Sequence, residues 1–173
     1  MDSHVNGLLD AMSEDLTRVT RDRGIKRPIM IGIHTGGAWI AQRLHDLMNF
    51  EEPLGLLDIS FYRDDFSRIG VNPRVKPSSL PLSVDDRHII LVDDVLFTGR
   101  TIRAALNEIF DYGRPASVTL AALIERDGRE LPIEASVVGH RLKLASHQHV
   151  KLGGPDPLNL RIVDTRLGGN ATP

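Results

Sequence analysis

The sequence predicts an α/β fold, a mostly parallel twisted sheet flanked by helices. Short, almost wholly apolar runs at 28–33, 88–92 and 117–124 suit strands buried on both faces, as parallel strands are. Between them lie segments whose apolar residues recur at three- and four-residue spacing, the period of a helix with one buried face. Strand–helix–strand order of this kind packs helices against a parallel sheet.

The first helix is expected over Ser3 to Arg23, where Val5, Leu8, Leu9, Met12, Leu16 and Val19 form one stripe and Gly24 gives a stop signal. The first strand, Pro28 to Ile33, leads through His34-Thr35-Gly36-Gly37 into a helix from Ala38 to Met48. Ile40, Ala41, Leu44, Leu47 and Met48 share its inner face. Leu54 to Tyr62 reads as the second strand. Residues 63–80 are polar and contain Gly70, Pro73 and Pro77. Connections of that length in a compact domain are usually functional or disordered. His88 to Val92 is the third strand, and Thr101 to Phe110 a helix with Ile102, Ala105, Leu106 and Ile109 inward, ended by Gly113 and Pro115. Ser117 to Ile124 is the fourth strand, and Ala135 to Gly139 and Leu160 to Val163 complete the candidates. Residues 1–173 are expected to form a single domain, with 165–173 a loose tail.

Composition narrows the function classes. With 41% hydrophobic and 25% charged residues, the chain can bury a core and is not of the disordered class. Cysteine is absent, which excludes a disulfide framework, a thiolate zinc site and a cysteine nucleophile. No apolar run approaches the ~20 residues of a membrane span, and the first residues lack the basic and apolar regions of a signal peptide. A soluble cytoplasmic protein with no membrane partner is expected. A formal charge of −2 implies no attraction of the whole molecule to nucleic acid.

The chemistry concentrates in Ile89-Ile90-Leu91-Val92-Asp93-Asp94-Val95-Leu96-Phe97-Thr98-Gly99-Arg100-Thr101. In open α/β sheets, ligands bind beyond the carboxyl ends of the strands. Here an apolar strand delivers two adjacent carboxylates to that edge, and a short loop turns into a helix at Thr101. Backbone N–H groups and the helix dipole at such a turn favour an anion. Thr98 and Thr101 add hydroxyl donors, and Gly99 permits close backbone approach. Acceptors beside a phosphate cradle suit a ribose phosphate. Turn residues and helix caps would explain these residues singly but not the whole run. Other phosphate motifs fail: neither a Walker A loop nor a Gly-x-Gly-x-x-Gly fingerprint is present. A receiver domain whose acidic strand began at residue 88 would have too little chain left to complete it. His147-Gln148-His149 places two histidines on one strand face, but solvent-exposed histidine is the commoner case, so no metal site built from protein ligands is expected.

Residues 89–101 match the phosphoribosyl-diphosphate signature of the type I phosphoribosyltransferases, and the chain resembles that family over roughly residues 4–140. Asp58-Ile59-Ser60-Phe61-Tyr62-Arg63-Asp64-Asp65, Pro77-Ser78-Ser79-Leu80-Pro81, Gly113-Arg114-Pro115 and Arg126-Asp127-Gly128-Arg129-Glu130-Leu131-Pro132-Ile133 are similar to its bifunctional branch, which joins uracil phosphoribosyltransferase activity to control of pyrimidine genes. The resemblance implies that Asp93 and Asp94 hold the ribose hydroxyls of phosphoribosyl diphosphate and act as catalytic residues with Arg63. Val95, Leu96, Phe97, Thr98, Gly99, Arg100 and Thr101 form the loop that cradles the 5-phosphate. Thr35 and Gly36 receive pyrophosphate. Arg63 stands at the base of a flexible flap at about residues 62–81 that closes to exclude water. Arg126 and the chain near Val150 line the uracil side.

Mg²⁺ is implied as cofactor, bound mainly through the diphosphate. The implied partners are phosphoribosyl diphosphate, uracil, UMP and UTP, with an mRNA leader as a further one, and the expected assembly is a homodimer or higher homo-oligomer. The sequence departs from the family in two places. The pyrophosphate loop, often Lys-Thr-Arg-Gly, is His34-Thr35-Gly36-Gly37, which leaves backbone N–H groups for that role. The Gly-Lys-Asn-x-Pro-Thr-Ser run after the fourth strand is Gly139-His140-Arg141-Leu142-Lys143-Leu144-Ala145. Three functions stay open at this point: uracil transfer alone, nucleotide-sensing RNA regulation in which His140, Arg141, Lys143, His147 and Lys151 form a basic face, and transfer to another base.

Overall fold

The structure is a computed structural model that describes residues 2–59 and 78–166. Arg63 and most of the expected flap therefore lie outside the described residues. In chain order the elements are α1 (Asp2–Asp22), β1 (Ile29–Ile33), α2 (Gly36–Leu47), β2 (Gly55–Leu57), β3 (His88–Leu96), α3 (Arg100–Tyr112), β4 (Ser117–Arg126), β5 (Val137–Leu142), β6 (Gln148–Gly153) and β7 (Asn159–Asp164).

Five strands form one sheet in the order β2-β1-β3-β4-β5, and every neighbouring pair is parallel. The expected fold class holds. The alternation of side chains along each strand sends two sets of apolar residues to opposite faces. Ile29, Ile31, Ile33, Ile89 and Leu91 meet Ile102, Ala105 and Ile109 of α3 on one face. Met30, Ile90, Val92, Ala121 and Leu123 meet Val5, Leu9, Met12 and Leu16 of α1, with Ile40, Ala41 and Leu44 of α2, on the other. The four buried α1 residues recur at helical spacing, which is why that face of an otherwise exposed helix docks. At Gly32 a Cβ would fall 2.7 Å from the Ala38 Cα, so the bare backbone lets α2 lie close on the sheet.

Three boundaries differ from the sequence expectation. The second strand, expected over 54–62, is Gly55–Leu57 within the residues described. The third runs on to Leu96 instead of ending at Val92, because β4 beside it continues to Arg126 and keeps the register, with Asp93 opposite Ala122 and Val95 opposite Ile124. Asp93 and Asp94 thus sit on a hydrogen-bonded strand and not in a loose loop. Third, the segment after β5 forms an antiparallel hairpin, β6–β7, in which Val150 faces Ile162 and Leu152 faces Leu160. Val150, Leu152 and Leu160 pack against the core on the α1–α2 side, and Leu158 is buried there. The hairpin turn is fixed to α2 by an ion pair of 3.1 Å between Arg43 and Asp156 and by the Trp39 ring lying against Gly154. Thr165 and Arg166, expected in a loose tail, are held: Thr165 donates its N–H and its hydroxyl to the His147 carbonyl, and Arg166 pairs with Asp164. Among the described residues no helix is long and apolar enough to cross a membrane.

Candidate active site

The carboxyl ends of β1, β3 and β4, the start of α3 and the hairpin strand β6 enclose a cleft of about 680 Å³. Thr35, Gly36, Asp93 to Thr101, Arg126 and Val150 all line it, together with His34, Ile59, Ile102, Glu130 and His149. Every site residue expected from the sequence is therefore brought together except Arg63, which lies outside the described residues.

Asp93 is buried and Asp94 half-buried. The Asp93 carboxylate accepts the backbone N–H of Asp94 at 3.0 Å, which fixes the two acids relative to each other. Beside them runs the turn from β1 into α2, where the His34–Thr35 peptide is cis. Its glycines are required by space. A Cβ at Gly37 would lie 2.6 Å from the Val92 carbonyl oxygen and 2.9 Å from the Asp93 Cα, and one at Gly36 would collide with the Asp94 carboxylate. Thr35 caps α2 without a side-chain hydrogen bond, and the first turn of α2 has no acidic residue. Those N–H groups are thus placed to take an anion.

The turn from β3 into α3 is built differently. Gly99 is the N-cap with φ of +93°, a left-handed conformation that glycine adopts without strain. Thr98 accepts the Arg100 N–H on its hydroxyl at 3.2 Å. Arg100 donates through Nε to Glu130 at 2.8 Å, so one cationic side chain of the loop is held against an acid on the cleft wall. The Leu96 side chain is buried against α3 and Val95 packs into the opposite core. These two residues, and Val150, whose side chain also packs inward, offer the cleft backbone and little else.

Arg126 is buried at the end of β4. Its guanidinium stacks 4.0 Å from the centroid of the Phe97 ring and donates to the Gln148 carbonyl at 2.8 Å. It thereby ties the loop after β3 to the hairpin. Its Nε has no hydrogen-bond partner among the described residues. A buried guanidinium N–H left open beside a cleft can receive a carbonyl or phosphoryl oxygen. For a divalent metal, the cleft supplies the adjacent oxygens of Asp93 and Asp94, while no group of three or more ligating side chains occurs among the described residues. That donor set fits Mg²⁺ arriving with most of its oxygen ligands on the substrate.

Sequence reasoning did not assign Ile59, Ile102, Glu130, His34 and His149 to the cleft. Two signals were available. His34 immediately precedes Thr35, and His149 precedes Val150 in the histidine pair set aside above. Of the residues expected in a basic face, Arg141 pairs with Glu125 at 2.9 Å and His147 lies 3.4 Å from Asp164, whereas Lys151 stands opposite Arg161 across the hairpin.

Fold and site together define a transferase of the phosphoribosyl class. The chain belongs to the phosphoribosyl transferase domain family, whose model matches residues 6–152. Within that family it groups with bacterial proteins named Bifunctional protein PyrR. It is 60% identical to the one from Nitrosococcus oceani over 161 residues, 92% of this chain and 91% of that protein. It is 58% identical to the one from Pseudomonas paraeruginosa over 153 residues, 88% and 90% of the two chains. Solved structures share the fold at low identity. A hypoxanthine phosphoribosyltransferase from Staphylococcus aureus matches with a TM-score of 0.64 at 18% identity, covering 83% of this chain and 75% of that one. A purine phosphoribosyltransferase from Pyrococcus horikoshii matches with a TM-score of 0.61 at 22% identity, covering 80% and 83%.

Proposed function

We propose that this single-domain protein transfers ribose 5-phosphate from phosphoribosyl diphosphate to uracil, giving UMP and pyrophosphate. The observation that carries this reading is the pair Asp93–Asp94, held on a strand end beside an anion-binding turn, in a chain of the PyrR group. A bond forms from uracil N1 to C1 of the ribose as N1 gives up its proton to solvent, and the bond from C1 to the diphosphate oxygen breaks with its electron pair leaving on pyrophosphate. C1 becomes cationic in the transition state while the leaving group gains negative charge. Asp93 and Asp94 hold the ribose hydroxyls and set the sugar's orientation, and their negative charge favours the developing cation. The N–H groups of the turn at 98–101 hold the 5-phosphate, and those at 35–36 face the departing pyrophosphate. Arg63 adds positive charge there in this reading. Mg²⁺, carried mainly by the oxygens of phosphoribosyl diphosphate, would supply further neutralisation of the leaving group. Arg126 and the backbone at Val150 present donors and acceptors to the edge of uracil.

The second activity in this reading is control of pyrimidine genes through an mRNA leader, with UMP or UTP in the same cleft as the signal. It follows the bifunctional character that names the relatives, and it suits a cytoplasmic homodimer or higher homo-oligomer. Arg141 is committed to an ion pair with Glu125, so fewer cations are available to RNA than the sequence offers. RNA binding is expected to rest mainly on phosphate contacts and to fall steeply with salt.

One set of measurements tests both activities. Uracil-dependent release of pyrophosphate should be seen, and D93N/D94N should lower the affinity for phosphoribosyl diphosphate by about a hundredfold or more, as losing two charge-assisted interactions implies. Circular dichroism should stay unchanged. Unaltered affinity in that variant refutes the assignment of the acids. Product with hypoxanthine or orotate but not uracil moves the reading to another base. Absence of product, with tight UMP-dependent RNA binding at physiological salt, leaves a regulator.

A further inference from the structure

The loop that precedes α3 is held from behind by a strap formed by residues 128–131. The strap's turn has Gly128 at φ +109° against the Phe97 ring, where a Cβ would fall 2.5 Å from a ring carbon. From there it reaches two consecutive carbonyls of the loop. The Arg129 guanidinium donates to the Phe97 carbonyl. The N–H groups of Glu130 and Leu131 both donate to the Thr98 carbonyl, at 3.0 and 3.1 Å. The next carbonyl, Gly99, accepts the Arg103 N–H at 2.9 Å as α3 begins.

These bonds have a geometric consequence. In a trans peptide the carbonyl and the following N–H point in opposite directions. Arg129 lines a groove on the back of the loop and not the cleft, so a Phe97 carbonyl held toward Arg129 turns the Thr98 N–H toward the cleft. The paired bonds to the Thr98 carbonyl do the same for the Gly99 N–H. An anion cradle needs this state, with carbonyls satisfied on the outside and amides presented inward. Of these restraints, only the one from Arg129 comes from a side chain. Arg129 is itself held by Glu125, which accepts from it at 2.5 Å and from Arg141 at 2.9 Å. The chain of contacts runs from β5 through β4 and the strap to the loop.

We propose that Arg129 is a positioning residue for phosphoribosyl transfer, fixing the Phe97 carbonyl behind the loop and so aiming the Thr98 amide at the 5-phosphate, with Glu125 setting the direction of its guanidinium. The proposal rests on the reading of this loop as the 5-phosphate cradle. It makes Arg129 a determinant of phosphate affinity that never touches the substrate.

The test uses the full chain with ribose 5-phosphate as probe, followed by calorimetry and by the amide resonance of Thr98. Wild type should bind, and its Thr98 amide should move on titration. In R129A the affinity should fall about tenfold, the effect of one charge-assisted hydrogen bond, and the Thr98 response should shrink. KM for phosphoribosyl diphosphate should rise while KM for uracil stays put. R129K, which keeps one donor for the Phe97 carbonyl, should recover most of the loss. E125Q keeps the volume but loosens Arg129 and should give an intermediate loss, which keeps the test decisive should R129A fail to fold. Wild-type affinity and an unchanged Thr98 response in both R129A and E125Q overturn the proposal while leaving the cradle intact. If ribose 5-phosphate binds to wild type without moving Thr98, or does not bind, the cradle reading itself fails and the proposal falls with it.

Discussion

Two strand-to-helix turns stand side by side at the cleft, one after β1 and one after β3. The turn after β3 is held by donors: the strap satisfies its carbonyls, and Thr98 and Gly99 complete the cap. The turn after β1 is held by the absence of side chains. Gly36 and Gly37 press against Asp94, Asp93 and the Val92 carbonyl with no room for a methyl group. The first therefore tolerates small changes in volume and fails when a donor is lost. The second has few donors to lose and fails when volume is added.

Paired glycine substitutions break this comparison most directly. G37A forces a Cβ into backbone that cannot move aside and should cost about 1–3 kcal/mol of stability as overpacking. It should also cost most of the affinity for phosphoribosyl diphosphate, since the acids on β3 are pushed. G99A meets only side-chain atoms of Leu131 and Ile133 at 3.4 Å, so its penalty comes from the positive φ, about 1–2 kcal/mol. Thermal unfolding with calorimetry on both variants is the check. Greater loss of affinity in G99A than in G37A would reverse the assignment of volume to one turn and donors to the other.

A smaller effect is expected where α3 meets the far end of the sheet. Glu108, buried on α3, accepts the Ser78 hydroxyl, and Ser78 in turn accepts the Asp58 N–H at 2.9 Å. Burial raises the Glu108 pKa, the charges of Asp58 and Asp111 push it the same way, and the Ser78 hydrogen bond opposes them. A carboxyl raised in the folded state binds its proton more tightly there than in the unfolded chain. Its protonation stabilises the fold as pH falls through the raised value, and its ionisation costs stability above it. E108Q should be more stable than wild type at pH 8, with the difference closing toward about pH 4, near the ordinary value for a glutamate. Parallel unfolding profiles at both ends of that range would refute the direction.

The smallest effect belongs to the base of the hairpin. Hydrogen bonds from Arg166 hold the Asp164 pKa below the usual carboxylate range. The stability this gives is present above the unfolded value and is lost as pH falls through the lowered one. D164N should weaken protection of the Thr165 amide against hydrogen exchange at neutral pH, with little change in global unfolding. The two proteins should converge in strong acid.

Much of the fold was legible because its strands are apolar on both faces. Ile29 to Ile33, Ile89 to Val92 and Val118 to Ile124 have no other stable place than a parallel sheet between helices. The acidic strand end was legible for a related reason, since carboxylates rarely follow such a run without a ligand or partner to meet. The continuation of β3 through Asp93 to Leu96 was not, because two charges end the apolar pattern while the pairing with β4 goes on. Strand β6 was hidden by its composition: Gln148, His149 and Lys151 leave only Val150 and Leu152 as an apolar signal. The strap is invisible in any local window. Arg129 reaches a carbonyl 32 residues earlier in the chain, and its use there depends on Gly128 and the Phe97 ring, not on a spacing that could be read.

Trp39 gives the molecule an optical consequence. It is the one tryptophan in the chain, and its ring lies against Gly154 where the hairpin turn meets α2, the helix that opens at the cleft. Its emission is a native reporter of whether hairpin and helix are docked. A red shift marks separation of the two, and an unchanged spectrum on ligand addition marks a cleft that fills without moving that wall. No dye or tag need be attached to follow it.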